Sequence, residues 1–97
     1  MLIVIVDFAV TPENAGLAQT TLGTEAPIAR ALPGNLGYSV WMDPDHPGKL
    51  RLIHEWANTT SFEAYKASAV FKSAGAILFP LMVGKPTTRA FEAAEVM

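Results

Sequence analysis

The 97-residue chain contains no cysteine. That removes disulfides, thiolate nucleophiles and thiol metal sites together, and it suits a reducing compartment. Charge is also scarce, at 16% of residues with a net charge of −2. The basic residues (Arg30, Lys49, Arg51, Lys66, Lys72, Lys85, Arg89) are scattered, so no cationic stripe exists to neutralise a phosphate backbone, and nucleic-acid binding is not expected. No long apolar run is present either. The apolar start, Met1 to Val6, lacks a basic flank and meets Asp7 too soon for a signal peptide or a membrane span. Missing too are the G-x-G-x-x-G, P-loop and G-x-S-x-G patterns, so nucleotide-binding and α/β-hydrolase readings have no support. The reading is a cytoplasmic protein with no membrane partner.

What the chain does have is apolar residues, 51% of the total, in a length that holds one core. A single domain over residues 1–97 follows. "LIVIVDFAV" (residues 2–10) is apolar on both faces apart from Asp7 and reads as a covered strand. "TPEN" opens a helix, with Thr11 as N-cap and Pro12 at the first helical position, running to about Leu32. Leu17, Thr21, Ile28 and Leu32 form its apolar stripe, and Pro27 predicts a kink near Gly23. "NLGYSVWMD" and "KLRLIHEWA" alternate as two strands around a turn at "PDHPG", residues 44–48. A second helix is predicted from about Ser61 to Ala69 or Phe71, followed by a short apolar segment, "AILFPLM", and a last strand in "KPTTRAFEAAEV". The order β-α-β-β-α-β is the ferredoxin-like α+β pattern, an antiparallel four-stranded sheet with helices on one face. The first three strands are apolar on both faces, so the uncovered face predicts a homodimer.

The quoted segments "VTPE", "EAPIARALPGNLGYSV", "EWANTTSFEAYKASAVF" and "LFPLM" together resemble the antibiotic biosynthesis monooxygenase (ABM) domains of the dimeric α/β-barrel superfamily, over nearly the whole chain. The resemblance implies the fold and a dimer. It implies no single reaction, because such domains include quinol and anthrone oxygenases, haem degraders and isomerases. Trp56 matches the indole that lines the family's pocket. Asp7 falls where the haem-degrading branch has an asparagine, and Gly75 where that branch has its haem-ligating histidine; a glycine cannot ligate iron. Quinol-oxygenase-like members carry a Glu two residues before the Trp and a His nine after it, where this chain has His54 and Tyr65. Leu52 stands where the anthrone-oxidising branch has an asparagine.

Strand alternation puts Leu50, Leu52, His54 and Trp56 on one face and Arg51, Ile53 and Glu55 on the other. If Trp56 faces the helices, so does His54; a slip of one residue would exchange His54 for Glu55. The expected catalytic set is His54 as general base, with Asp7 and Tyr65 orienting it or stabilising an anion. Trp56, Trp41, Phe62, Phe71 and Leu52 are the expected substrate contacts. An imidazole in an apolar pocket can deprotonate a phenol or quinol, whose anion reacts with dioxygen without flavin or metal. The expected function is a cofactor-independent monooxygenase on a small aromatic polyol or quinol. An isomerase or cyclase acting on an enolisable molecule, or a non-catalytic small-molecule-binding dimer, are the rivals. A cavity walled by Asp7, His54 and Trp56 favours chemistry, and one plugged by Trp41 or Phe71 disfavours it. For each of these residues packing is the competing role, and His46 with Asp43 and Asp45 reads as a solvated turn with no bound metal.

Overall fold

The structure is a computed structural model describing residues 1–97. Strand β1 (Leu2–Ala9) is followed by a single 3₁₀ turn (Pro12–Asn14) and helix α1 (Ala15–Arg30). Strands β2 (Asn35–Asp43) and β3 (His46–Trp56) form a hairpin; then come α2 (Thr59–Lys66), α3 (Ala69–Leu78), a second 3₁₀ turn (Phe79–Leu81) and β4 (Thr87–Glu92). The sheet order is β2-β3-β1-β4, antiparallel throughout. This is the ferredoxin-like arrangement the sequence pattern predicts.

Alternation fixes the two faces of the sheet. Leu2, Val4 and Phe8 are buried on the helix side of β1, with Val10 buried just beyond it, and Leu50, Leu52, His54 and Trp56 on the same side of β3. Register pairs Val4 with His54 and Tyr38 with His54, so three strands contribute to one wall. Ile3, Ile5, Asp7, Arg51, Ile53, Trp41 and Phe91 lie on the opposite face, which no element of the chain covers.

Several local expectations differ from the structure. The buried stripe of α1 is Ala15, Ala18, Leu22, Glu25, Ala26 and Ala29, whereas Leu17 and Ile28 are each 50% exposed. Small alanines let the helix axis approach the sheet, so the close-packed face is the alanine face, not the one with the larger residues. The helix runs unbroken through Pro27, four residues after the exposed Gly23. Thr11 precedes only the 3₁₀ turn and makes no side-chain cap bond. Beyond β3, one expected helix is two. Asn58 caps α2 by accepting from the Ser61 amide at 2.9 Å. Ser68 caps α3 by accepting from the Phe71 amide at 3.3 Å, which restarts the chain as a helix where an apolar connector was expected. The hairpin turn is tighter than residues 44–48, because β3 already begins at His46. Gly48 is needed there: a Cβ would stand 2.1 Å from the Val10 carbonyl oxygen, while the Val10 amide donates to the Gly48 carbonyl at 2.8 Å.

Candidate active site

Burying an imidazole among apolar groups costs free energy unless its nitrogens are satisfied. His54 is 2% exposed, and the indole N–H of Trp56 donates to its Nδ1 at 2.7 Å. Indole nitrogen can only donate, so Nδ1 is the acceptor and the neutral ring carries its proton on Nε2. Burial pushes the His54 pKa down to about 4. At neutral pH the residue is therefore an uncharged hydrogen-bond donor through Nε2. Its Nδ1 lone pair is already occupied, so His54 lacks the free basic nitrogen that the general-base role expected of it requires.

A buried carboxylic acid beside it was not apparent in the sequence. Glu25, on the inward stripe of α1, is 4% exposed and accepts a hydrogen bond from the Tyr65 hydroxyl. Burial raises its pKa above the ordinary carboxylate value, opposed by the Tyr65 and Tyr38 hydroxyls. Burial likewise pushes both tyrosines well above the usual phenol range, so they stay protonated. Tyr38 acts on Glu25 and Tyr65 by proximity, but its buried hydroxyl satisfies no hydrogen-bond geometry. A mid-stripe acid, three residues after Leu22 and seven after Ala18, is the sequence signal for Glu25.

Aromatic rings enclose the imidazole. Ring centroids of Tyr38 and Tyr65 lie 5.5 Å from that of His54, Phe62 lies at 5.7 Å and Trp56 at 6.0 Å. Phe71 packs on Tyr65 at 5.3 Å. A cavity of about 180 Å³ opens beside them, lined by Glu25, His54, Tyr65, Leu52, Phe62, Phe71 and surrounding apolar residues. Trp56 stands behind His54 and is not part of its lining.

Two expected site residues lie elsewhere. Asp7 faces the opposite side of the sheet, where Arg51 Nε and Nη2 donate to its two carboxylate oxygens at 2.6 and 3.0 Å. The Arg51 hydrogen bonds hold its pKa below the ordinary value. Residues 4 and 54 pair directly, so the odd-numbered Asp7 points away from even-numbered His54 by strand alternation. Trp41 shares that outer face, 60% exposed, with its indole N–H on Ser39 Oγ at 2.8 Å. Both line a wider groove of about 600 Å³ with Lys49, Arg51 and Lys85. That groove is open and its carboxylates, Asp7 and Asp43, are already paired with Arg51 and His46, whereas the smaller cavity gathers the buried titratable groups, which makes it the candidate site. Trp41 does not plug the cavity, and Phe71 forms its wall without filling it.

No three His, Asp or Glu side chains stand close enough together to hold a metal ion. His46 and Asp43 make an exposed pair at 3.2 Å in the hairpin. No helix is long and apolar enough to cross a membrane.

The model of the family described as antibiotic biosynthesis monooxygenase matches residues 1–76. Among solved structures, an antibiotic biosynthesis monooxygenase is 21% identical, with 98% of this chain and 100% of that chain covered at a TM-score of 0.91. A protein from Nitrosomonas europaea, provisionally described in the same way, is 15% identical, covering 98% and 100% at a TM-score of 0.93. One from Deinococcus radiodurans, with the same provisional description, is 24% identical, covering 100% and 96% at a TM-score of 0.91. At these identities the structural matches establish the fold. No curated protein matches the chain significantly.

Proposed function

Since the chain belongs to the antibiotic biosynthesis monooxygenase family, we propose that it is a cofactor-independent monooxygenase acting on a small electron-rich phenol or hydroquinone. The observation that carries this reading is a buried carboxylate and a neutral imidazole donor on the wall of one small, mostly apolar cavity.

The roles follow from the protonation states. Glu25 is the general base: its raised pKa brings it closer to a phenol's acidity, and the Tyr65 hydroxyl fixes one of its oxygens. His54 donates through Nε2–H to the phenolate oxygen as charge develops, and the Trp56 hydrogen bond to Nδ1 supports that tautomer. Phe62 and Phe71 flank the ring and exclude water. The deprotonated substrate gives electrons to dioxygen, and a carbon–oxygen bond forms at the ring. Loss of water from the resulting peroxide leaves a quinone when the substrate is a phenol and a hydroxyquinone when it is a hydroquinone. One oxygen atom enters the product and the other leaves as water, with all four electrons coming from the substrate. No external reductant is needed.

The same proposal includes a homodimer formed through the outer sheet face. Ile3, Ile5 and Ile53 are only half-covered there, and Trp41 and Phe91 are 60% and 44% exposed. Exposed apolar groups clustered on one uncovered sheet face are normally covered by a partner.

The test is oxygen uptake by metal-free protein over a panel of phenols and hydroquinones, with ¹⁸O₂ and mass spectrometry of the product. One labelled atom per product, at a saturable rate above autoxidation, is expected. Turnover of enolisable ketones under argon, with no oxygen uptake, would place the same carboxylate in isomerisation instead.

A further inference from the structure

We propose that the cavity selects one-ring phenols and hydroquinones, and that Phe79, seated against the bare backbone of Gly75, is the residue that sets this limit. The proposal rests on the cavity being the substrate site. Its first support is volume. The cavity holds about 180 Å³. An apolar protein cavity of about 150 Å³ accommodates benzene, so one substituted ring occupies this one and a fused second ring must extend toward its mouth.

The second support is the distribution of polar groups. Glu25, His54 and Tyr65 are buried and form the cavity's inner end. Lys66 and Thr88, the other polar lining residues, are exposed and mark its mouth. A single ring with one hydroxyl at the inner end and its far edge toward Lys66 and Thr88 spans that layout.

The third support is how the mouth is closed. Phe79 lines the cavity yet is 56% exposed, as a residue at an opening should be. It lies one helical turn beyond Gly75, and long side chains at such positions lean back over the preceding turn. A Cβ on residue 75 would stand 2.8 Å from Phe79 Cε2 and 3.3 Å from Cδ2. Glycine therefore lets the phenyl ring lie flat against α3, where it narrows the opening. Because the ring is largely solvent-exposed, removing it enlarges the site without emptying the core.

The experiment is titration calorimetry under argon with phenol, 4-methylphenol, 2-naphthol and anthrone, on wild type, Phe79→Ala and Phe79→Leu. Wild type should bind the one-ring phenols roughly tenfold or more tighter than 2-naphthol, despite the greater apolar surface of the latter. Phe79→Ala should abolish that preference, with Phe79→Leu between them. Equal or tighter binding of 2-naphthol by wild type, an unchanged ratio in Phe79→Ala, or no phenol binding at all would overturn the proposal. Binding is read without oxygen, so one-ring selectivity in a protein that consumes no oxygen refutes the oxygenase reading alone. Oxygen consumption as fast with naphthols as with one-ring phenols refutes the size limit alone.

Discussion

A histidine and a glutamate, placed in one cavity, titrate in opposite directions because burial penalises the charged form of each. His54 has its pKa lowered from 6.5 to about 4, so between those values the unfolded chain binds a proton that the folded chain does not. Stability therefore falls as pH drops through that window, by on the order of 3 kcal/mol at the acid end. Glu25, raised from 4.5, works the other way, its contribution declining as pH rises through its folded value. In His54→Asn the amide oxygen can still accept from Trp56, and the acid-side loss should disappear from denaturant titrations at pH 7 and pH 4.5. A loss unchanged from wild type would show that His54 is not the group responsible. The tautomer has its own test. Long-range ¹H–¹⁵N spectra should show His54 protonated on Nε2 in wild type, and Trp56→Phe should destabilise the fold by about 1–3 kcal/mol by leaving Nδ1 unpaired. Strand alternation made the inward face of His54 legible from sequence once Trp56 was placed. It could not show that the same Trp56 would occupy His54 Nδ1.

At the level of elements, strands were easier to read than helices. Period-two alternation survives in β1 and β3 because one face of each packs on helices, and even the opposed orientation of Asp7 follows from that parity. Helix α1 misleads because its buried face is mostly alanine, so the larger Leu17 and Ile28 dominate the sequence pattern while facing outward. The break between α2 and α3 turns on Ser68, whose hydroxyl accepts from the Phe71 amide and also donates to the Tyr65 carbonyl at 2.6 Å. Ser68→Ala should cost about 1 kcal/mol in urea denaturation. Its effect should extend to substrate affinity, because Tyr65 ends one helix at the site and Phe71 begins the other. Gly48→Ala should be more damaging still, since a methyl group there meets the Val10 backbone and no flexible side chain can yield. Loss of soluble expression, or a destabilisation larger than that of Ser68→Ala, is the expected outcome.

For the molecule as a whole, the sheet has two faces with two roles. The helix-covered face holds the cavity, and the outer face carries Ile3, Ile5, Ile53, Trp41 and Phe91 around the Asp7–Arg51 pair. Apolarity on both faces of the strands was visible in the sequence, and with the predicted fold it made a dimer the expectation. Ile53→Glu, at the centre of that face, should convert a particle of twice the chain mass into one of the chain mass in sedimentation equilibrium. A monomeric wild type would contradict the proposed interface. The central claim concerns the other face, that Glu25 removes the phenolic proton while His54 only donates a hydrogen bond. Its most direct measurement is kcat/KM for oxygen uptake with a one-ring hydroquinone, across pH, in wild type, Glu25→Gln and His54→Asn. The account predicts a loss of about 10²–10⁴-fold in Glu25→Gln, with the pH dependence of the base abolished, and a smaller loss in His54→Asn that leaves that dependence in place. Full activity in Glu25→Gln, or a base-limited pH profile removed by His54→Asn alone, would contradict it.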